Sequence, residues 1–126
     1  MIKSMSKTIL VIDDDKLIRE GLSALLKGAG QTVLEAVDGK DGLEVALKEH
    51  PDLIVTDLRM PNMSGQEMID AIRADDTIKD TPVVILTNDE TSNSVNQALQ
   101  TGVSFYLAKN LDPESLTQQI LLAAGA

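Results

Sequence analysis

The chain has 126 residues with 43% apolar and 25% charged side chains, and its 20 acidic against 11 basic residues give a net charge of -9, the size and balance of one globular domain. Its scattered basic residues, single tyrosine, single phenylalanine and absent tryptophan exclude the basic stripe and stacking surface of a direct nucleic-acid binder. With no cysteine there are no disulfides, thiolate zinc sites or cysteine nucleophiles, and no run approaches the roughly 20 apolar residues that span a bilayer, so a cytoplasmic protein with no membrane partner is expected.

Met1 to Lys7 holds two lysines but no apolar stretch behind them, so residues 1–6 read as a flexible tail and 7–126 as the domain. A first apolar run, Thr8 to Ile12, meets Asp13, Asp14 and Asp15; Asp15 caps a helix with Ile18, Leu22, Leu25 and Leu26 on one stripe, ended by Gly28 and Gly30. The run Thr32 to Ala36 leads to a helix marked by Leu43, Ala46 and Leu47 and stopped by Pro51, with His50 as a capping or surface residue. Leu53 to Thr56 delivers Asp57, and a third helix follows Ser64 and Gly65 with Met68, Ile69 and Ile72 inward. Val83 to Leu86 delivers Thr87, before a weaker helical pattern in Val95, Ala98 and Leu99 closed by Gly102. Ser104 to Leu107 leads to Lys109, and the last helix opens at Asp112 and Pro113 with Leu116 and Ile120 inward.

Strand and helix alternate five times, which predicts an α/β fold: a five-stranded parallel sheet, order 2-1-3-4-5, doubly wound with five helices. Ligands of such sheets sit outside the carboxyl ends of the strands, where this chain places Asp13, Asp14, Asp57, Thr87 and Lys109. Adjacent strands lie about 4.8 Å apart, and two like charges at about 5 Å repel by roughly 3 kcal/mol at an effective dielectric near 20. Three converging carboxylates therefore require counter-charge. Lys109 supplies one positive charge, and a divalent cation with oxygen-only ligands, magnesium or manganese, supplies the rest. Such a cluster suits an incoming phosphoryl group, with Asp57 as nucleophile and Thr87 and Lys109 as donors to the phosphoryl oxygens.

The stretch from Thr8 to Arg19, with its acidic run, and the stretch Asp57-Leu-Arg-Met-Pro-Asn-Met-Ser-Gly65 resemble the opening strand and the acceptor motif Asp-x-x-Met-Pro-x-x-x-Gly of response-regulator receiver domains, over residues 7 to 124. The resemblance implies a flavodoxin-like receiver fold and a phosphoacceptor switch of two-component signalling that catalyses only its own phosphorylation and dephosphorylation. It implies Asp57 as phosphoacceptor, Asp14, Asp57 and the Arg59 backbone carbonyl as direct Mg2+ (or Mn2+) ligands, and Asp13 acting through water. Thr87 and Lys109 match the switch hydroxyl and phosphoryl-binding lysine, and Tyr106 matches the aromatic switch residue. The implied partners are a sensor histidine kinase or histidine phosphotransfer protein and an output protein or domain, read through the fourth helix, fifth strand and fifth helix. A free-standing receiver and a piece of a longer chain both fit.

Asn110 and Asn88 depart from the family pattern, and Arg59 and Asp89 lie where its members differ. Asn110 follows Lys109 where proline in a cis bond is usual, and since a cis bond to a non-proline costs about 2.5 to 4 kcal/mol, a trans bond is expected. Asn88 is larger than the usual residue after the threonine, and Arg59 is expected to pair with Asp89 across the mouth of the site and slow dephosphorylation. The alternatives are a degenerate receiver that only mediates contacts and a haloacid-dehalogenase-type phosphatase, whose general-acid aspartate is replaced here by Arg59. An FMN carrier would need a phosphate-cradling loop where this chain has three aspartates.

Overall fold

Runs rich in valine, isoleucine and leucine form β1 (Thr8–Ile12), β2 (Thr32–Ala36), β3 (Leu53–Thr56), β4 (Val83–Thr87) and β5 (Phe105–Ala108). The helices are α1 (Lys16–Gly28), α2 (Gly39–Glu49), α3 (Gly65–Ala74) and α4 (Pro113–Ala124). The computed structural model describes residues 6–87, 105–109 and 112–125. Residues 1–5 of the tail expected at 1–6, the helical pattern of Val95, Ala98 and Leu99, and the expectations for Asn88, Asp89 and the Lys109–Asn110 bond lie outside the described residues.

All strand pairs are parallel, in the order β2-β1-β3-β4-β5 that the alternation predicts. The ladder runs slightly past the apolar runs: β4 includes Thr87, which pairs with Ala108 of β5, because backbone hydrogen bonding does not stop at the last apolar side chain. Successive strand residues point to opposite faces, so the sheet carries two cores. Leu10, Ile12, Ile54, Val83 and Ile85 pack under α2 and α3 against Ala46, Met68, Ile69 and Ile72. Ile9, Val11, Leu53, Val55, Val84 and Leu86 pack under α1 and α4 against Leu22, Leu26, Leu116 and Ile120. The helical stripes are narrower than the apolar pattern suggests, since Leu25 and Leu47 are exposed.

Each of the described helices starts on a side-chain cap. Asp15 accepts from the N–H groups of Leu17 and Ile18, Asp38 from Asp41, and Asp112 from Ser115 ahead of Pro113. Ser64 and Glu67 form a reciprocal capping box at α3. His50 ends α2 with φ 48°, and its N–H donates to the Ala46 carbonyl. Among the described residues no helix is long and apolar enough to cross a membrane.

Candidate functional site

The register of the central strands sets the site. Ile12 pairs with Thr56 across β1 and β3, so the next residues, Asp13 and Asp57, emerge side by side at the carboxyl rim. The Asp57 N–H donates to the Ile12 carbonyl at 3.2 Å, and the Asp13 N–H to that of Ala36 at 3.2 Å. Asp14 joins them, and carboxylate oxygens of the three acids all lie within 4.8 Å of one another. Lys109, one residue past β5, reaches back so that its Nζ donates to Asp57 Oδ2 at 2.5 Å and Asp13 Oδ2 at 2.9 Å.

Asp13 and Asp57 are only 3% and 7% exposed, whereas Asp14 is exposed; the pocket is floored by buried charge and opens toward Asp14. Burial pushes the Asp13 carboxyl above its ordinary value; the Asp15 N–H and Lys109 pull it down without cancelling that effect, and the neighbouring Asp57 charge adds to the rise. Burial acts on Lys109 in the opposite direction, toward a lower value, but hydrogen bonds and charge from Asp57 and Asp13 outweigh it and hold the ammonium above its usual range. One ammonium is thus shared by two buried acids. The set of available ligand atoms is all oxygen, which fits a hard divalent cation and not zinc or copper.

Asp57 is also held on its other oxygen: Oδ1 accepts the N–H of Leu58 at 2.6 Å and of Arg59 at 3.4 Å. Gly65 lets the loop close, because its N–H donates to the Leu58 carbonyl at 2.8 Å and a Cβ there would run into the Asp57 carbonyl. Thr87 closes β4, in register with Ala108 next to Lys109, and Tyr106 lies on β5. The Thr87 hydroxyl and the Tyr106 ring lie outside the described residues.

Three contributors escaped the sequence reading. Arg19 donates from Nη1 to the Asp13 carbonyl at 2.8 Å and pairs through Nε with Glu35 at 3.2 Å, which fixes the acidic loop to α1 and β2. Asp38 accepts from Asn62 Nδ2 at 2.6 Å, joining the loop before α2 to the loop after Asp57. A hint of Asp38 was present in its position before a helix, but its partner lies 24 residues away with no periodic signal to connect them.

A parallel five-stranded sheet with two buried acids and a lysine converging at its carboxyl rim defines a receiver-type α/β module. Residues 9–121 match the response regulator receiver domain family, and the chain belongs to that family. It is 34% identical over 113 residues to the chemotaxis protein CheY of Pseudomonas aeruginosa, covering 89% of this chain and 91% of that protein. It is 37% identical to the nitrate/nitrite response regulator NarL of Escherichia coli over 94% of this chain and 55% of that protein, and 35% identical to hybrid signal transduction histidine kinase D of Dictyostelium discoideum over 90% of this chain and 7% of that one. The chain thus spans about half the length of the nitrate/nitrite and phosphate regulators it matches. Its fold superimposes on CheY4 of Vibrio cholerae with a TM-score of 0.87 at 31% identity, covering 94% and 99% of the two chains. It also superimposes on the receiver domain of the Pseudomonas aeruginosa sensor histidine kinase PA1611, with a TM-score of 0.86 at 25% identity, covering 97% and 100%; that structure holds a magnesium ion in its active site cleft. The chain is a receiver domain of two-component signalling.

Proposed function

We propose that this receiver accepts a phosphoryl group from a histidine kinase or histidine phosphotransfer protein onto Asp57 with Mg2+ or Mn2+, and that the modified state controls an output protein or domain. The observation that carries the reading is the Lys109 ammonium shared between Asp13 and Asp57 at 2.9 and 2.5 Å, with Asp14 in the same cluster. Asp14, Asp57 and the Arg59 carbonyl are the proposed direct ligands, with Asp13 acting through water. The cation, when bound, neutralises the phosphoryl oxygens and the acids facing them.

The protein's own groups do the rest. An Asp57 oxygen attacks phosphorus in line with the leaving group; an O–P bond forms as the donor's N–P bond breaks, and the imidazole leaves with the electron pair. Lys109 and Thr87 donate to the phosphoryl oxygens, a role that in Lys109 replaces part of its present contact with Asp57. Movement of Thr87 and Tyr106 then biases the face formed by the segment between β4 and β5, β5 and α4. A protein donor is supported by a groove of about 250 Å³ beside Lys109, between α1 and α4, lined by apolar residues such as Leu22, Leu86 and Leu116, with Leu17 84% exposed at its lip.

The test is labelling by acetyl phosphate. We expect stoichiometric Mg2+-dependent labelling of the parent, lost with chelator and in Asp57→Asn; labelling that persists in that variant, or without a divalent cation, refutes the assignment.

A further inference from the structure

The loop between Asp57 and α3 is bolted to the loop before α2. Asp38 uses Oδ1 to accept the Asp41 N–H at 2.8 Å, capping α2, and turns Oδ2 to Asn62, whose Nδ2 donates at 2.6 Å. A helix cap needs one acceptor, and serine or asparagine supplies it as well as aspartate does. The second carboxylate oxygen thus serves the neighbouring loop, and it does so from a residue only 8% exposed. Beside this contact the Gly39 N–H donates to the Met63 carbonyl at 3.0 Å, and a Cβ on Gly39 would collide with that carbonyl. Asn62 itself sits at φ 68°, a left-handed conformation that asparagine and aspartate tolerate better than most residues.

We propose that Asp38 is a positioning residue for the cation pocket, acting through Asn62 on the loop that carries the Arg59 carbonyl. The inference rests on the reading of Asp57 as a cation-assisted phosphoacceptor. A backbone carbonyl is a good ligand only when its dipole is aimed, and ordering a free loop costs conformational entropy. A loop held by the Asp38–Asn62 and Gly39–Met63 contacts carries that order before the ion arrives, so the ion's binding energy is not spent on it.

The hydrogen-bond polarity of the pair provides the test. Asp38→Asn keeps the cap, and Asn62 can rotate its amide to accept from the new donor, so this variant is expected to bind Mg2+ within about twofold of the parent. Asn62→Asp sets two acceptors against each other and breaks the contact while leaving the left-handed residue tolerated. The exchange Asp38→Asn with Asn62→Asp restores a donor facing an acceptor at unchanged net charge. Calorimetric Mg2+ affinity should fall on the order of tenfold in Asn62→Asp, although its added negative charge alone would tighten cation binding, and should return to within about twofold in the exchanged pair. Asn62→Gly, which suits the same φ without an amide, should show the same loss. In metal-free protein at unchanged melting temperature, the Gly39 amide should exchange its hydrogen faster in Asn62→Asp and recover in the exchanged pair. Parent-like or tighter Mg2+ binding in both Asn62 variants, or an exchanged pair that does not recover, overturns the positioning role. If the parent itself takes up no Mg2+ and is labelled independently of Asp57, the phosphoacceptor reading fails first and the inference goes with it.

Discussion

Lys109 holds together a cluster that electrostatics alone would push apart. Its Nζ sits 2.9 Å from Asp13 and 2.5 Å from Asp57, both nearly buried, and truncating it removes the ammonium that both acids share. Lys109→Met is expected to destabilise the metal-free protein by about 2–3 kcal/mol, less than the roughly 3–5 kcal/mol of a sealed pair because the pocket opens at Asp14. Saturating Mg2+ should raise the melting temperature more in this variant than in the parent; equal gains would show that ammonium and cation do not share a job. The raised Lys109 value adds an alkaline signature: its stabilisation is complete below the ordinary lysine value of 10.5 and is lost as pH rises through the higher folded one, a loss the variant should lack. Asp13, Asp14, Asp57 and Lys109 were legible from the sequence because each follows an apolar run in a parallel alternation, which fixes the rim it reaches. Arg19 and Asn62 were not, because their contacts depend on loop paths and on partners with no fixed offset.

At the scale of elements, the helix starts carry the acid-sensitive part of stability. The N–H groups of Asp41 and Ser115 hold the cap carboxyls of Asp38 and Asp112 below the usual range, helped by the Asn62 amide and the Ser115 hydroxyl respectively. The Thr77 hydroxyl and N–H do the same for Asp75 after α3. A carboxyl with a lowered folded value stabilises above its ordinary value of 3.8 and loses that contribution as pH falls through the folded one. Asp112→Asn keeps the α4 cap and cannot titrate, so its denaturant-measured stability should fall less than the parent's between about pH 5 and pH 2; parallel curves would refute the assignment. Asp13 acts with the opposite sign, since its raised value means that ionisation above 3.8 costs the fold stability. The caps at Asp15, Ser64 and Asp112 were readable from residue type and position, whereas the exposure of Leu25 and Leu47 was not, because periodicity reports a face and not how far the neighbouring helix reaches over it.

Among the described residues, β1, β3 and β4 are covered on both faces, with one core on each side of the sheet. Ile85 is fully buried on β4, under α2 and α3. Ile85→Ala should cost about 2–5 kcal/mol, seen as a lower urea midpoint at unchanged slope, whereas Val33→Ala on the edge strand β2, only partly buried, should cost no more than about 1 kcal/mol. Similar costs at the two positions would contradict the layering. The strand order was legible because unbroken apolar runs alternating with amphipathic segments leave few alternatives.

That strand order also decides which parts of the chain the pocket draws on. Asp13 leaves β1, Asp57 leaves β3 and Lys109 leaves β5, so the two acids come from the middle of the sheet and their shared ammonium from the strand at its edge. A chain without β5 would lack the ammonium that Asp13 and Asp57 share, and neither half of the polypeptide owns a complete pocket.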